Sequence, residues 1–300
     1  MTIPERTANR ELDDSILSPL TEPPDRAEVV VVGGGIVGAS VAYHLTKLGV
    51  HDVVVVERGR LTNGTTWHAA GLVAEARGTH ALTELSRINA DLFASLPAET
   101  GVETGFRRVG SMTVARTPAR MQEYRYGASI ARDAGIEVHE LTPQELRDRW
   151  PPIEIDDVVG GTFYPHDGTV NPGDAALALA KGARDGGARF VFGTSVTGSA
   201  TDGGRVSAVE TDRGAIETGA VVLAAGLWTS ELARLAGVSV PLYPAEHVWV
   251  ITEPTEGADE TLPILRDLDG SFYVRHYQGG YMVGAFEPRG KPKAPADIDV

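Results

Sequence analysis

Three glycines and one carboxylate are the first residues of this chain whose types and spacing could do chemistry. Gly33, Gly35 and Gly38 form the pattern G-x-G-x-x-G, and Glu57 follows nineteen positions after Gly38. Such glycines permit a tight turn, a close approach of the backbone to a pyrophosphate and close helix–strand packing, while the carboxylate accepts hydrogen bonds from ribose hydroxyls. The pattern predicts a dinucleotide site at the turn and helix start, made by Gly33, Gly35, Ile36, Val37 and Gly38. It does not separate NAD from FAD.

The elements around this turn are those that a dinucleotide site requires. Four valines at 29–32 precede it without polar alternation, which indicates a parallel strand buried on both faces. A second valine run at 53–56 leads to Glu57. The helix between the two strands should end at Gly49. Its expected apolar face consists of Val37, Val41, Leu45 and Leu48.

The composition bounds the class of protein. The chain has 300 residues, 42% of them hydrophobic, which is enough for about two domains. Its net charge of −14, with scattered basic residues, disfavours nucleic acid and anionic membranes as partners. The absence of cysteine excludes disulfides, iron–sulfur clusters, thiolate zinc sites and cysteinyl flavin links, and no metal site is predicted. The sequence shows no apolar run suited to a membrane span or signal peptide, so a cytoplasmic location is expected.

Changes of pattern along the chain predict a divided organisation. Residues 1–26 are polar, acidic and proline-containing, and are expected to form a disordered tail. The nucleotide-binding pattern occupies residues 27–105 and returns over 165–242, which predicts one domain built from two segments. Residues 106–164 and 243–300 are predicted to form a second, substrate-binding domain that stops inside its sheet.

Local signals predict the remaining elements. A helix should begin near Thr79 and bury a stripe made of Leu82, Leu85, Ile88, Leu92 and Leu96. Two further helices should begin at Thr117-Pro118 and at the capping box Thr142-Pro143-Gln144-Glu145. Residues 221–226 indicate another buried parallel strand. An antiparallel sheet is indicated by alternating stretches at 246–252, 271–277 and 281–286.

Several motifs together carry a resemblance to a known family. They are the glycine turn, Gly-Thr-Thr-Trp-His-Ala-Ala-Gly-Leu at 64–72, Asp-Gly-Thr-Val-Asn-Pro at 167–172, Ala-Ala-Gly-Leu-Trp at 224–228, and Leu-Arg-Asp at 265–267 before Tyr273. The chain from about Ala27 onward resembles the flavin half of the N-methyl amino acid dehydrogenases and oxidases. Dimethylglycine dehydrogenase and oxidase and sarcosine dehydrogenase are examples, within the D-amino acid oxidase superfamily. The resemblance implies an α/β fold with a Rossmann-like FAD-binding domain and a discontinuous antiparallel-sheet substrate domain.

The same resemblance implies FAD as cofactor, covalently attached through His68. A neutral imidazole nitrogen can attack the 8α-methyl carbon once that methyl group has lost a proton and formed a quinone methide. On position alone, a structural His68 hydrogen-bonded to a carbonyl would be the commoner arrangement, and the Trp67-His68-Ala69-Ala70-Gly71 match reverses that preference. Further cofactor contacts are expected from Arg58, Thr65, Thr66, Gly71, Val196, Ala225, Gly226 and Trp228. Tetrahydrofolate is a further cofactor that members of the family bind through a domain absent from this chain.

The resemblance also assigns residues to catalysis. His247 and Tyr273 match the pair that faces the flavin ring, and either side chain can relay a proton from a protonated amine, which cannot release hydride. Arg275 shares a strand face with Tyr273 and is expected to bind a substrate carboxylate. The alternatives are a core histidine, a strand aromatic and a surface charge.

Three functions therefore remain open from the sequence. The first is a flavin enzyme that oxidises the N-methyl C–N bond of a small amino acid by hydride transfer, with oxygen or an electron-transfer protein as acceptor. The second is a nicotinamide-dependent dehydrogenase, against which the Trp67-His68 segment and Ala225-Gly226 weigh. The third is an incomplete or non-catalytic flavoprotein subunit, suggested by the end of the chain at 297–300.

Overall fold

The computed structural model describes residues 14–298. Residues 14–17 are helical, and the α-helices that follow are α1 (Ile36–Lys47), α2 (His80–Thr100), α3 (Pro118–Asp133), α4 (Pro143–Arg149), α5 (Pro172–Asp185) and α6 (Thr229–Leu235). The strands of the first half are β1 (Val29–Val32), β2 (Val53–Val56), β3 (Leu72–Val73), β4 (Ser111–Ala115), β5 (His139–Leu141), β6 (Gly160–Tyr164), β7 (Gly168–Thr169) and β8 (Arg189–Val191). Those of the second half are β9 (Val196–Asp202), β10 (Arg205–Thr211), β11 (Gly214–Glu217), β12 (Ala220–Leu223), β13 (Ala245–Glu246), β14 (Val248–Ile251), β15 (Ile264–Asp267), β16 (Phe272–Tyr277), β17 (Gly280–Ala285) and β18 (Lys291–Pro292). Short 3₁₀ turns lie at Gly226–Trp228 and Pro295–Asp297.

A four-stranded parallel sheet in the order β12-β1-β2-β8 holds the glycine turn. Its valines are buried on both faces, because Val29 and Val31 join one apolar cluster while Val30 and Val32 join another. The first cluster includes side chains of α1, α2 and α5, and the second includes β10 and β11. This two-sided burial confirms the inference from unbroken valine runs.

Helix α1 packs on the sheet mainly through small residues, and of the predicted apolar stripe only Val41 and Leu45 are partly buried against the core. Its buried positions are Gly38, Ala39, Ala42, Tyr43 and Thr46. Val37 and Leu48 are 61% and 81% exposed, so their assignment to the buried face is wrong. The reason is close approach, since a Cβ at Gly38 would lie 1.9 Å from the Gly33 carbonyl oxygen. The helix therefore turns its smallest side chains toward β1.

Two other burial predictions also need correction. In α2 the buried residues are Thr83, Ala90, Phe93, Leu96 and Thr100. Leu82, Leu85 and Ile88 are exposed, because α2 packs against α5 through a face rotated from the expected stripe. Strand β12 does pair in parallel with β1, but it lies at the edge of the sheet and is only partly buried.

Residues 14–26 are not the disordered tail that the sequence predicts; residues 1–13 of that segment lie outside the described range. Leu17 is 2% exposed within the core of the parallel sheet, and the Leu20 N–H donates to the Phe190 carbonyl at 2.8 Å. Asp14 pairs with Arg60. The segment is polar on average, so its composition gave no indication that Leu17 and Leu20 attach it to the parallel sheet.

The second large sheet has seven strands in the order β14-β17-β16-β15-β4-β6-β5. It is antiparallel except where β15 pairs in parallel with β4. One face carries the apolar cluster of Met112, Val114, Leu265 and Val274. Directly opposed residues share a face, so the other face carries a mostly polar row that runs Trp249, Gly284, Tyr273, Arg266, Thr113 and Thr162.

The architecture confirms the expected fold class, with a Rossmann-like sheet and a separate antiparallel sheet. The helices begun at Thr117 and Thr142 are present, and the latter has the predicted capping box. The exact domain boundaries stay a prediction. Within residues 14–298, no helix combines the length and apolar character needed to cross a membrane.

The contact at Gly38 generates a stability prediction. Gly38→Ala should destabilise the fold by about 1–3 kcal/mol, because the added methyl group collides with the Gly33 carbonyl. Gly127→Ala is the matched control, since Gly127 lies inside helix α3 and a Cβ added there would have no atom within 4 Å. The control should stabilise by about 0.5–1 kcal/mol. Urea unfolding of both variants checks the pair, and equal effects would contradict the close-packing argument.

Candidate functional site

The carboxyl ends of the parallel strands meet around the glycine turn. Gly33 has a φ of 116°, and a Cβ there would lie 2.4 Å from the Ala224 carbonyl oxygen, so no other residue fits. Ala225 and Gly226 follow directly, after the end of β12. The structure thus brings together the predicted residues at 33 and 225–226, at the sheet edge where ligands of open α/β folds bind.

Glu57 is held by the backbone on both sides. Its Oε2 accepts from the Gly34 N–H at 2.7 Å, and its Oε1 accepts from the Gly59 N–H at 2.8 Å. These bonds fix the carboxylate at the end of β2, beside the turn. Each oxygen retains a further acceptor site, which suits the two hydroxyls of a ribose.

The segment from Thr65 to Gly71 lies against the start of helix α1. The Thr66 hydroxyl accepts from the Ile36 N–H at 3.1 Å, and it also lies 3.1 Å from the Cβ position of Gly35. Gly71 has a φ of 67° and would place a Cβ 2.1 Å from the Val170 carbonyl oxygen. Thr65 is exposed, and the Cβ position of Gly226 is 3.9 Å from its hydroxyl.

Arg58 and Trp228 form a stacked pair beside Glu57. The Arg58 guanidinium lies 3.9 Å from the centre of the Trp228 ring, and Gly64 borders the same ring. Val196 lies at the start of β9 and packs against the apolar cluster under β1 and β2. Two residues earlier, the Thr194 N–H donates to the Glu57 carbonyl at 3.1 Å. All three predicted residues therefore surround the end of β2.

His68 lies between two tryptophans. The Trp67 ring is 3.6 Å from the His68 ring, and the Trp249 indole N–H donates to the His68 carbonyl at 2.7 Å. The residue is exposed overall, yet partial desolvation of its ring lowers the pKa of His68 below the usual value. A lowered pKa keeps the imidazole neutral near pH 7, which is the form with a free lone pair.

Tyr273 and His247 are brought together by a third aromatic residue, Phe286. The Phe286 ring is 5.5 Å from the Tyr273 ring and 6.2 Å from the His247 ring. Tyr273 is 6% exposed, and burial raises its pKa. His247 is exposed and its Nδ1 lies 3.2 Å from a carboxylate oxygen of Glu287. His247 falls between β13 and β14, and not within a continuous strand as the alternation predicts.

The Tyr273 ring crosses its neighbouring strand over Gly284. A Cβ at Gly284 would lie 2.1 Å from the Tyr273 Cζ and 2.2 Å from its hydroxyl oxygen. Trp249 pairs with Gly284 from the other side, so Tyr273 points along the row toward the tryptophan that contacts His68. The Tyr273 side chain can therefore extend across β17 only because residue 284 is glycine.

Arg275 is a buried cation that has no carboxylate partner within residues 14–298. It is 7% exposed, and its Nε has no hydrogen-bond partner among the described residues. Its guanidinium lies 5.0 Å from the Tyr277 ring and makes a long 3.4 Å contact with the His276 carbonyl. Burial lowers the pKa of Arg275. An unpaired buried guanidinium is costly, so the site favours an anionic ligand.

Sequence reasoning missed Trp249, Gly284 and Phe286 as members of the site. Each acts through a neighbour that is distant in sequence, and none belongs to a recognised motif. The alternation of residues 246–252 placed Trp249 on a strand, but only the sheet register puts it opposite Gly284. The glycine in Val283-Gly284-Ala285 was the one available signal, since glycine inside a strand often marks a close approach.

The charges and hydrogen-bonding groups at the glycine turn suit a dinucleotide. Helix α1 has no acidic residue in its first turn, and its N-cap, Gly35, makes no side-chain hydrogen bond. The helix therefore brings no acidic side chain of its own to the position that a pyrophosphate would take, and the only anion it faces among the described contacts of the turn is Glu57. Glu57, at the end of β2, presents a carboxylate of the kind that accepts hydrogen bonds from ribose hydroxyls.

Comparison with known proteins agrees with this geometry. The family model described as FAD dependent oxidoreductase matches residues 28–299. A 4-methylaminobutanoate oxidase (formaldehyde-forming) from Paenarthrobacter nicotinovorans is 41% identical over 296 residues, which are 98% of this chain and 36% of that protein. Mitochondrial sarcosine dehydrogenase from Mus musculus is 40% identical over 270 residues, which are 88% of this chain and 29% of that protein. The chain thus spans about a third of the length of these relatives.

A solved structure supports the fold assignment. L-proline dehydrogenase from P. horikoshii superposes with a TM-score of 0.83 at 26% sequence identity. The match covers 90% of this chain and 71% of that one.

The Glu57 contacts generate a binding prediction. In Glu57→Gln an amide NH₂ replaces one carboxylate oxygen and cannot accept from both Gly34 and Gly59. FAD affinity should fall by roughly 1.5–3 kcal/mol, as expected for bonds to a charged acceptor. Isothermal titration of the apo-protein measures it. Glu28→Gln, at the exposed opposite end of β1, is the control and should bind like the parent. Parent-like binding by Glu57→Gln would contradict the assignment.

Proposed function

Because the chain belongs to the FAD-dependent oxidoreductase family, we propose that it oxidises the N-methyl C–N bond of a small secondary or tertiary amino acid. The observation that carries this proposal is Arg275, a buried guanidinium without a carboxylate partner among the described residues. It lies two residues from Tyr273 on the face of the sheet that also bears Trp249, the residue in contact with His68. A carboxylate-bearing substrate is the ligand that this cation fits.

FAD would be held by the turn and its surroundings. The start of α1 would take the pyrophosphate, Glu57 the ribose, and the Arg58–Trp228 pair the adenosine end. His68 is proposed as the covalent attachment point, supported by its neutral imidazole and its place in the Thr65–Gly71 segment. When bound, FAD supplies an electrophilic ring nitrogen that accepts hydride from the substrate carbon.

Tyr273 and His247 would control the proton on the substrate amine. An ammonium has no lone pair to assist hydride loss, so its proton must leave before or during oxidation. The Tyr273 hydroxyl, kept neutral by its raised pKa, can accept a hydrogen bond from the substrate N–H. His247 is exposed and contacts Glu287, so its ring can carry a proton toward solvent. Phe286 packs against both rings and holds the pair in place.

The proposed reaction balances without a further group in this chain. Loss of hydride from the neutral amine gives an iminium ion, and water converts it to the demethylated amine, formaldehyde and a proton. Tetrahydrofolate as an alternative acceptor of the one-carbon unit stays a prediction from the family resemblance. Whether oxygen or an electron-transfer protein reoxidises the flavin, and the cytoplasmic location, also stay open predictions.

The substrate class follows from the names of the relatives together with Arg275. One relative is named as an oxidase of 4-methylaminobutanoate, and another as a dehydrogenase of sarcosine. Both substrates pair an N-methyl amine with a carboxylate. They differ in the separation of the two groups.

An anaerobic substrate panel tests the proposed function. Sarcosine, dimethylglycine or 4-methylaminobutanoate should bleach the bound flavin, whereas N-methylbutylamine, which lacks the carboxylate, should do so poorly. Arg275→Gln should raise the substrate concentration for half-maximal bleaching by about ten- to hundredfold, from the 1.5–3 kcal/mol of a charged hydrogen bond. For N-methylbutylamine the same variant should change little. No bleaching by any N-methyl amino acid would overturn the proposal, and equal losses for both substrate types would remove Arg275 from carboxylate binding.

The Gly284 contact generates a prediction about Tyr273. Gly284→Ala should push the Tyr273 ring out of its place and slow flavin reduction by about 10²–10⁴, the usual span for a positioned acid–base group. Tyr273→Phe should act in the same range. The double variant should lose much less than the product of the two, because both changes disable one hydroxyl. Stopped-flow bleaching measures all three, with flavin content as the control. Full multiplicative losses would show that Gly284 acts elsewhere.

A further inference from the structure

Trp249 connects the edge of the seven-stranded sheet to the segment that carries His68. It lies on the edge strand β14 and is only partly buried. Its indole N–H donates to the His68 carbonyl at 2.7 Å, across 181 positions of sequence. This hydrogen bond therefore links the seven-stranded sheet to the segment that contains His68, the expected site of flavin attachment.

The segment is fastened at two points. Toward its start, the Thr66 hydroxyl accepts from the Ile36 N–H at the beginning of helix α1. The His68 and Ala69 N–H groups donate to the Thr65 and Thr66 carbonyls, so these residues form a tight turn. At the other end of the turn Trp249 donates to the His68 carbonyl, while the Trp67 ring lies 3.6 Å from the imidazole and is tilted by 35° to it. Two fixed backbone points and an adjacent ring restrict the positions that the imidazole can take.

We propose that Trp249 is a positioning residue for covalent flavin attachment: its N–H fixes the His68 backbone so that the imidazole faces the flavin 8α carbon. This inference rests on the proposed attachment through His68. The hydrogen bond acts on the backbone and leaves both ring nitrogens of His68 available for chemistry. Trp249 also pairs with Gly284, and the Tyr273 ring lies over Gly284. Strand β14 therefore connects the His68 segment to the sheet face that carries Tyr273.

The bond-forming step balances with dioxygen as oxidant. A C–N bond forms between an imidazole nitrogen of His68 and the 8α carbon, the C–H bond at that carbon breaks, and the imidazole N–H gives up its proton. Two protons and an electron pair are left over, and dioxygen takes them to form hydrogen peroxide. The neutral imidazole that this step needs agrees with the lowered pKa of His68. Orientation of the two reacting atoms is the contribution that Trp249 makes.

A time course of covalent incorporation tests the proposal. Apo-protein from riboflavin-starved cells is mixed with FAD in air, and covalent flavin is followed by fluorescence on denaturing gels and by peptide mass. Trp249→Phe keeps an aromatic ring and loses the N–H, so incorporation should slow by about two- to tenfold, as for one hydrogen bond of ordinary strength. The affinity for noncovalent FAD, measured in Trp249→Phe/His68→Ala against His68→Ala, should stay within about twofold, a difference small beside that of one hydrogen bond.

Trp150→Phe is the matched control. Trp150 also donates its indole N–H to a backbone carbonyl, that of Pro263 at 3.0 Å, but it lies in the apolar core of the seven-stranded sheet. This control should lose stability and keep the parental incorporation rate.

The outcomes separate the two proposals. A parental rate in Trp249→Phe, or an equal slowing in Trp150→Phe, would overturn the role of Trp249 while leaving the attachment intact. A parent that binds FAD without any adduct at His68 would overturn the attachment and the role of Trp249 together, yet leave amine oxidation standing. A parent without FAD binding would overturn the proposed function itself.

Discussion

The close approach of helix α1 to strand β1 is the constraint on which the rest of the site depends. A side chain at Gly33 would collide with the Ala224 carbonyl, and one at Gly38 would collide with the Gly33 carbonyl. With both positions glycine, the turn before the helix packs against the carboxyl ends of β1, β2 and β12. Glu57 can then accept from Gly34, and Thr66 can accept from Ile36. The shape of the proposed dinucleotide site depends on these two close contacts.

The second constraint is electrostatic and lies on the seven-stranded sheet. Arg275 is buried and pairs with no carboxylate of the described part of the chain, a state that costs free energy unless an anion binds. Tyr273 shares its face and extends over Gly284, and Trp249 continues the row to His68. A buried cation and a tyrosine hydroxyl thus lie on the face that contacts the Thr65–Gly71 segment through Trp249. We regard that face as the substrate side of the flavin.

Local sequence was sufficient wherever one short segment decides the structure. The glycine turn, the valine strands and the capping box at Thr142 all depend on neighbours within a few residues, and the fold class came from the family resemblance that short motifs of this kind carry. Local sequence was not sufficient where the structure depends on a residue distant in the chain. The buried faces of α1 and α2 are chosen by close packing against β1 and α5, so Val37, Leu82 and Leu85 are exposed. Likewise the register Arg266 to Thr113 joins strands far apart in the chain, and no local pattern encodes the Trp249–His68 bond.

The absorbance of acid-precipitated protein tests the central claim most directly, because that claim is that the glycine cradle holds FAD with His68 at its ring. Our account predicts about one flavin per chain, with its yellow colour retained in the washed pellet and its mass on the peptide that contains His68. Protein that copurifies with no flavin, and takes up none from added FAD, would contradict the account. If all the colour were released to the supernatant, only the covalent attachment at His68 would be contradicted, and FAD binding by the glycine turn would stand.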